Sequence, residues 1–244
     1  MFARFVRRRF PYLPLMMSNG HAIHPPCTPA ATPASDLPEV GALVREGRLV
    51  RLRAHVPANR ARFQRWYADP EIARLLRHDQ EPLTAIQSRG YFDTIILPLS
   101  ARGLCYAIHE AASDRLIGTT ALTDLNARTG SALFRIVIGE KECWGHGNGT
   151  EATRLVAEEA FFRHGLRQVQ LEVFRHNERA LAAYRRVGFH VTGEHVEYVG
   201  RQRHILNVVE MALDRDDFLR LSGETWAPTG EAAQPEAGER ADGC

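Results

Sequence analysis

The sequence contains almost no lysine and few cysteines. Of its 31 basic residues, only Lys141 is a lysine and the other 30 are arginines. A coding bias toward arginine explains this count, so no arginine is interpreted as chosen over lysine for bidentate recognition. The four cysteines form no CxxC pair and have no metal-ligand spacing: Cys27, Cys105, Cys143 and Cys244. This pattern argues against a disulfide framework and against a zinc site. It indicates a reducing compartment, so we expect a cytoplasmic protein without a metal.

The sequence also lacks long apolar segments and a marked excess of charge. No run of about 18 apolar residues occurs, so nothing predicts a membrane-spanning helix. The formal net charge is +2, which gives no reason to expect a nucleic-acid partner. Of the 244 residues, 44% are hydrophobic and 25% are charged, as in soluble globular proteins with an ample core.

The two ends of the chain differ in composition from its middle. Residues 1–40 begin with a basic, aromatic stretch and continue into a Pro/Ala/Thr-rich one, which predicts a disordered extension. A targeting segment, a docking arm for nucleic acid, or a start codon assigned ahead of Met16 or Met17 are the alternatives. Residues 223–244, rich in Gly, Ala, Glu and Pro, predict a disordered tail. The folded domain is therefore expected over residues 47–214.

The middle of the chain alternates between strand and helix patterns. Period-2 alternation and flanking turns predict strands at about 47–56, 104–109, 116–122, 132–138, 169–174, 189–199 and 204–213. Helical spacing predicts helices at 57–67, 69–76, 82–97, from Thr150 to Gly165, and 178–187. Asp69 and Asn177 are the expected N-caps of two of them, and Gly188 ends the last. A meander followed by a β-α-β unit predicts a mixed sheet.

A glycine-rich loop, Trp144-Gly-His-Gly-Asn-Gly-Thr150, lies between a predicted strand and a predicted helix. Glycines at alternate positions let the backbone approach a ligand, and a helix that begins there adds partial positive charge. The loop therefore predicts an anion site suited to phosphates, with a purely structural turn as the alternative. It lacks the GK[ST] of a nucleoside-triphosphate P-loop and the sequence context of a dinucleotide fingerprint.

Two segments, in this order, resemble the GNAT N-acetyltransferases. Residues 136–152 resemble the acetyl-CoA loop of that family, whose pattern is Gln/Arg-x-x-Gly-x-Gly/Ala. Trp144 stands in the first place, as in the branch of ribosomal-protein N-terminal and polyamine acetyltransferases. Residues 177–189 resemble the segment N-x-x-A-[IL]-x-x-Y-x-x-x-G-F. The resemblance covers about residues 47–214. It implies the GNAT fold, an α/β fold with a mixed and largely antiparallel central sheet of about seven strands flanked by helices.

The resemblance also implies acetyl-CoA as the acetyl donor and a set of site residues. The strand backbone would bind the pantetheine arm, and the loop N–H groups would bind the pyrophosphate, with Thr150 capping the helix. The coenzyme-binding residues implied are Val137, Ile138, Gly139, Trp144, Gly145, His146, Gly147, Asn148, Gly149, Thr150 and Asn177. Tyr184 takes the place of the general acid that meets the coenzyme sulfur. Core packing is the alternative role for Tyr184, and helix capping for Asn177.

The general base stays open at this stage. An amine acceptor must lose a proton before it attacks, and His109, Glu110 and Asp124 lie near the ends of predicted strands. Each has a solvated strand end as its alternative, and a water chain would serve as well. Lys141, beside the glycine loop, is expected to be a surface lysine rather than a phosphate ligand. Cys143 is expected to pack rather than to act as a nucleophile.

By the same resemblance, the expected activity is direct transfer of an acetyl group to a primary amine in a ternary complex. The α-amine of a protein N-terminus, a polyamine and a small-molecule amine all fit. A polyamine would favour an acidic groove, and the N-terminal half offers only Asp79, Glu81 and Asp93. This favours a peptide or small-molecule amine. A non-catalytic acetyl-CoA-binding sensor is the rival interpretation, and a homodimer is compatible with either.

Overall fold

A computed structural model describes residues 40–199 and 204–223, which form eight strands and seven α-helices. The strands are β1 (Leu43–Glu46), β2 (Val50–Arg53), β3 (Cys105–Glu110), β4 (Leu116–Asn126), β5 (Ser131–Ile138), β6 (Gln168–Phe174), β7 (His190–Val199) and β8 (His204–Asp214). The helices are α1 (Arg60–Tyr67), α2 (Pro70–Leu76), α3 (Ala85–Tyr91), α4 (Leu97–Ala101), α5 (Asn148–Glu158), α6 (Glu178–Val187) and α7 (Arg215–Ser222). Within these two ranges, no helix combines the length and the apolar character that crossing a membrane requires. The predicted tails lie outside the described residues except for Val40 and Gly223.

The strands form one mixed sheet in the order β1-β2-β3-β4-β5-β6-β8-β7. All neighbours are antiparallel except β5 and β6, which are parallel and are connected through α5. The predicted mixed, largely antiparallel sheet flanked by helices is therefore confirmed. The described residues hold one strand more than the seven expected, because β1 was not foreseen.

The first predicted strand, residues 47–56, is shorter than expected. Only Val50–Arg53 is extended in the sheet, while residues 47–49 turn the chain back to β1. The carboxylate of Glu151, in the first turn of α5, accepts hydrogen bonds from the backbone N–H groups of residues 48–50 at 2.5–3.1 Å. Glu151 lies 101–103 residues further along the chain than these N–H groups. The pattern of neighbouring residues therefore could not predict the turn.

The helices before β3 follow their capping residues. Asp69 caps α2 and accepts from two backbone N–H groups of its first turn at 2.8 and 3.3 Å, as predicted. The helix expected over 82–97 begins later, because Thr84 and Gln87 form a capping box that fixes the start of α3. A wider helical turn at Phe92–Ile96 joins α3 to α4, and the helical segment ends at Ala101.

Apolar side chains cover both faces of the sheet. Along β3, Tyr106 and Ile108 face the core beneath α5 and α6, whereas Cys105 and Ala107 face the core beneath α1 to α3. Such a doubly covered strand carries little polar alternation. Helix α7 packs against the core beneath α5 and α6 through Phe218, whose ring centroid lies 5.4 Å from that of Phe161. Elements of the domain thus extend beyond the expected limits of 47–214 at both ends.

Candidate active site

The parallel strands β5 and β6 are paired over only three residues. Ser131–Leu133 pair with Gln168–Gln170, and the ladder ends there. Beyond that point β5 continues against β4 to Ile138, and β6 continues against β8 to Phe174. The far halves of both strands therefore have no ladder partner on the side that faces the gap between them.

A cleft of about 840 Å³, open to solvent, follows this gap. Its walls are the end of β5, the glycine loop, the first turn of α5, helix α6 and helix α2. Nine of the predicted site residues line it: Val137, Ile138, Trp144, Gly145, Gly147, Gly149, Thr150, Asn177 and Tyr184. The fold thus brings both sequence motifs to one cleft.

The remaining predicted coenzyme residues do not line the cleft. Gly139 packs against the ring of Trp66, where a Cβ at Gly139 would come within 2.1 Å of the indole. Asn148 is buried, and its side-chain amide donates to the carbonyl of Cys143 at 3.1 Å, which holds the loop. His146 is exposed at the tip of the loop.

The loop reaches α5 through left-handed backbone that glycine adopts readily. Gly145 has a φ of +80° and Gly147 a φ of +87°, and Gly147 is the N-cap of α5. The expectation that Thr150 caps this helix is therefore wrong, because the helix already begins at Asn148 and Thr150 lies in its first turn. No side chain in the described part of the chain caps this helix, so its first N–H groups remain available to an anion.

A buried carboxylate ties the start of the loop to α1. Glu140 is 8% exposed, and its Oε1 accepts from the indole N–H of Trp66 at 3.1 Å and from Arg62 at 3.2 Å. Arg65 contacts the same oxygen. These bonds and the close approach of Gly139 to Trp66 fix the point at which β5 passes into the loop.

Lys141 ties the loop to α2. Its ammonium lies 2.8 Å from Asp69 and 2.7 Å from Glu71. Hydrogen bonds to Asp69 and then to Glu71 raise the pKa of Lys141. Its charge therefore pairs with these carboxylates. This agrees with the expectation of a surface lysine rather than a phosphate ligand.

Tyr184 lies on α6, on the side that faces the gap. It is 9% exposed and packs edge-on against Phe134, with ring centroids 6.2 Å apart. Burial raises the pKa of Tyr184 above its ordinary value. The hydroxyl therefore stays protonated at neutral pH, as a proton donor must. Both expected roles of Tyr184 are thus compatible, since its ring packs in the core while it also lines the cleft.

Helix α6 begins as predicted. The side chain of Asn177 accepts from the backbone N–H of Ala180 at 3.2 Å and so caps the helix. Gly188 ends the helix with a φ of +110°. Asn177 also lines the cleft, so capping and contact with a ligand are compatible there.

A second cavity, of about 600 Å³, adjoins the cleft at Tyr184. Its walls come mainly from α2, β5, β6 and β8, and the surface they expose to it is more polar than apolar. Glu172, on β6, also lines it, and burial raises the pKa of this carboxyl. Glu172 was not predicted from the sequence, because a charged residue that alternates with Leu171 and Val173 is typical of the solvent face of a strand.

Histidines and further carboxylates lie close to Glu172. His78 bonds to Glu197 and lies 4.0 Å from Glu172. His195 bonds to Glu210 at 2.8 Å, and donor atoms of Glu172, His195 and Glu210 lie within 4.8 Å of one another. A second such triplet among the described residues is His190, Asp214 and Asp217. Of these side chains, His78 and Glu172 line the second cavity.

Neither cavity is lined by any of the three candidate bases that the sequence suggested. His109 is buried and bonds through Nδ1 to the carbonyl of Asp114 at 2.7 Å, and burial lowers the pKa of its imidazole. Glu110 accepts from Ser113 at 2.5 Å. Asp124 lies in β4 with a φ of +51°, at an irregularity of the β4–β5 pairing.

Comparison with solved structures finds the same fold in acetyltransferases. A spermidine N-acetyltransferase from Vibrio cholerae, in complex with CoA and spermine, has a TM-score of 0.61 at 20% identity and covers 70% of this chain and 99% of its own. A GNAT-family acetyltransferase from Bacillus anthracis has a TM-score of 0.60 at 9% identity and covers 70% of this chain and 98% of its own. No curated protein matches the sequence.

The comparison with protein families identifies the chain itself. Residues 49–190 match the model of the acetyltransferase (GNAT) domain, which is more than half of the 244 residues. The matched range includes both segments that resemble the family, residues 136–152 and 177–189. The chain therefore belongs to the GNAT acetyltransferase family and is an acyltransferase.

Proposed function

We propose that this protein transfers the acetyl group of acetyl-CoA to a primary amine, by direct attack in a ternary complex. The observation that carries the proposal is the position of Tyr184, which lines both cavities. One of these cavities contains an anion-binding loop and the other an acidic group. A donor and an acceptor bound in them would meet at this side chain.

The cleft fits the coenzyme by its chemistry. The end of β5 offers backbone groups without a ladder partner to an amide-bearing arm, and the loop and the first turn of α5 offer N–H groups to phosphates. Arg179 and Arg186 add positive charge to the same cleft. Acetyl-CoA, when bound, supplies a thioester that a neutral amine attacks. The protein holds the partners in line and manages the protons.

Tyr184 is the proton donor of the proposed reaction. Burial keeps its hydroxyl protonated, and its ring is fixed between Phe134 and Phe189. Because Tyr184 lines both cavities, its hydroxyl would deliver a proton to the leaving sulfur.

Glu172 is the proposed base. It lines the acceptor cavity, and its raised pKa brings the carboxyl closer to neutrality, where it accepts a proton more effectively. An ammonium group of the acceptor would both pair with this carboxylate and lose its proton to it. Glu172 thus replaces His109, Glu110 and Asp124 as the candidate.

The acceptor is proposed to be a small-molecule amine or a protein N-terminal α-amine. A polyamine is the second candidate, and a specific observation favours it. Glu172 lines the second cavity, Glu210 lies within 4.8 Å of it, and Glu197 pairs with His78 of the same cavity. The Vibrio cholerae relative was crystallised with spermine. These carboxylates come from β6, β7 and β8. They therefore lie outside the N-terminal half, where a cluster of acidic residues was expected for a polyamine site.

The test is an acetyl-transfer assay with purified protein. Release of free CoA thiol is measured with acetyl-CoA and three panels of acceptors: peptides with free N-termini, polyamines and aminoglycosides. We expect turnover with at least one panel, and the acetylated product is located by mass spectrometry. Tight coenzyme binding without turnover on any panel would favour the non-catalytic sensor instead.

Two further expectations belong to this proposal. We expect the protein to act in the cytoplasm, because its cysteines show no disulfide pattern. A homodimer is compatible with this site, and light scattering of the purified protein measures the oligomeric state. Neither expectation affects the assignment of the cleft.

A further inference from the structure

Two side chains contact each other across the coenzyme cleft. Trp144 belongs to the loop that follows β5, and Arg179 lies in the first turn of α6, which follows β6. The guanidinium carbon of Arg179 lies 3.8 Å from the centre of the Trp144 ring. Both residues line the cleft, so this cation–π contact bridges the gap that the short β5–β6 ladder leaves.

Trp144 also holds a backbone group that the coenzyme is expected to use. Its indole N–H donates to the carbonyl of Ile138 at 2.7 Å. Ile138 ends β5, beyond the last residue that pairs with β6. This carbonyl belongs to the stretch of β5 assigned to the pantetheine arm, so the indole and an arm amide compete for the same acceptor.

Arg179 is a cation without a compensating partner. Among residues 40–199 and 204–223 it has no hydrogen bond or ion pair, and its contact is the indole face. Burial lowers the pKa of its guanidinium, and Glu71 acts on it only at longer range. A cation without a carboxylate partner among the described residues, at the edge of an anion-binding loop, favours a phosphate as its partner.

We propose that Trp144 and Arg179 form a latch across the cleft, and that the two side chains must separate before the pantetheine arm reaches the backbone of β5. The guanidinium of Arg179, once released from the indole, then binds a phosphate of the coenzyme. The inference rests on the proposed function, since it requires that this cleft binds acetyl-CoA. It assigns Arg179 to the coenzyme, a role that neither sequence motif had given it.

Arg186 provides a matched control. It lies on the same helix, lines the same cleft and is exposed like Arg179, but it does not stack on Trp144. Both Arg179→Gln and Arg186→Gln remove one positive charge from the cleft. A difference in coenzyme affinity between the two variants therefore reflects the position of the arginine, because both variants lose the same charge.

The first experiment compares two ligands by calorimetry. Coenzyme A carries phosphates, and pantetheine carries none. We expect Arg179→Gln to weaken coenzyme A binding at least tenfold, Arg186→Gln to weaken it less than threefold, and neither variant to weaken pantetheine binding. Equal losses for coenzyme A in both variants, or loss of both ligands in Arg179→Gln, would overturn the role of Arg179.

The second experiment follows the latch by tryptophan fluorescence. The chain has three tryptophans, Trp66, Trp144 and Trp226. We expect coenzyme A to change the emission of the unmodified protein and not that of Trp144→Phe, which keeps a ring but lacks the N–H. We also expect coenzyme A to associate faster with Trp144→Phe, because the Ile138 carbonyl is then free.

The outcomes separate this inference from the proposed function. If calorimetry shows binding of coenzyme A while the emission of Trp144 does not change, the latch is refuted and the coenzyme site stands. If the unmodified protein binds no coenzyme A, the proposed function fails and the latch fails with it. Circular dichroism of every variant confirms that it is folded.

Discussion

The two edges of strand β5 differ sharply. Toward β4, the strand is paired from Ile138 with Gly118 to Leu133 with Thr123 and, after an irregularity, at Ser131 with Asn126. Toward β6, it is paired over three residues and then faces a cleft. One strand therefore serves as scaffold on one edge and as binding surface on the other. We therefore expect stability to depend on the first edge and activity on the second.

The largest effect is expected at the open edge. Tyr184→Phe removes the hydroxyl at the junction of the cavities but keeps the packed ring. General acid catalysis is typically worth about a hundred- to ten-thousandfold, and a thiolate leaves fairly well unaided, so we expect turnover to fall about a hundredfold. Coenzyme affinity should stay nearly constant, because the group acts in the transition state. Steady-state kinetics and calorimetry measure the two quantities.

Tyr91→Phe is the matched control for Tyr184→Phe. It removes a tyrosine hydroxyl from the other face of the sheet, where Tyr91 packs with Phe63 and Tyr67. We expect its turnover to be close to that of the unmodified protein. Full activity in Tyr184→Phe would reduce this tyrosine to a packing residue.

The next effect is expected at the paired edge. Gly118 of β4 lies against β5, and a Cβ there would come within 2.4 Å of the backbone carbonyl of Val137. Backbone in a paired strand cannot move aside cheaply. We therefore expect Gly118→Ala to lower the free energy of unfolding toward the upper end of the ~1–3 kcal/mol typical of overpacking. Urea denaturation measures this.

Gly90→Ala is the control for this substitution. A Cβ at Gly90, in α3, meets no atom within 4 Å. Alanine also favours a helix over glycine, so this variant should be as stable as the unmodified protein or slightly more so. If both variants behave alike, the paired edge is not tightly packed.

The paired part of the sheet should also make stability depend on pH. His55 is buried, bonds through Nε2 to Thr119 of β4 at 2.9 Å, and has an Nδ1 without a partner among the described residues. Burial lowers its pKa from 6.5 to about 4. The unfolded chain therefore binds a proton more readily than the folded protein, so stability is full above pH 6.5 and falls as the pH drops toward 4.

The size of this pH effect follows from the difference between the two pKa values. Between pH 7 and pH 5, His55 should cost about 2 kcal/mol of stability. We expect His55→Gln to show a smaller loss over this range than the unmodified protein, and the control His176→Gln, at an exposed site, to show the same loss. Denaturation curves at both pH values measure it. An unchanged pH dependence in His55→Gln would show that the imidazole is not buried neutral.

A smaller effect is expected for coenzyme affinity at the loop. Gly147→Val puts a bulky side chain on a left-handed residue at the N-terminus of α5, where it would block approach to the helix N–H groups. We expect coenzyme A to bind about tenfold more weakly, or ~1.4 kcal/mol. Gly165→Val imposes a similar backbone strain, with a φ of +63°, outside the cleft lining and should leave the affinity unchanged.

No effect is expected from the terminal segments. Residues 1–39 and 224–244 offer no apolar periodicity, so their removal should shift the melting temperature by less than about 2 °C. A drop of several degrees on either truncation would show that the segment packs on the domain. Calorimetry of both truncated proteins decides this.

Features that depend on neighbouring residues were predictable from the sequence. The caps at Asp69 and Asn177 and the helix end at Gly188 require only side chains within a few positions, and all three are as predicted. The glycine loop is equally local, since alternate glycines permit the left-handed backbone found at Gly145 and Gly147. The start of α5 was predicted wrongly, because its N-cap is Gly147 and not Thr150.

Features that depend on distant contacts were not predictable. The turn before β2 exists because Glu151 binds its N–H groups from another element. Glu172 alternates with apolar residues like any solvent-facing strand residue, and only the gap between β5 and β6 gives it a cavity to line. Strand alternation shows which face a residue takes, but not what lies opposite that face.

The gap also makes β5 an edge strand in the interior of a sheet. Exposed edges of this kind invite strands from other chains, and proteins normally cover or charge them to avoid aggregation. Here helices α5 and α6 pack together beside the gap. The open edge of β5 is therefore reached through the cleft that both helices line. An edge placed at the bottom of such a cleft suits a narrow, flexible ligand with amides of its own better than the strand of another chain.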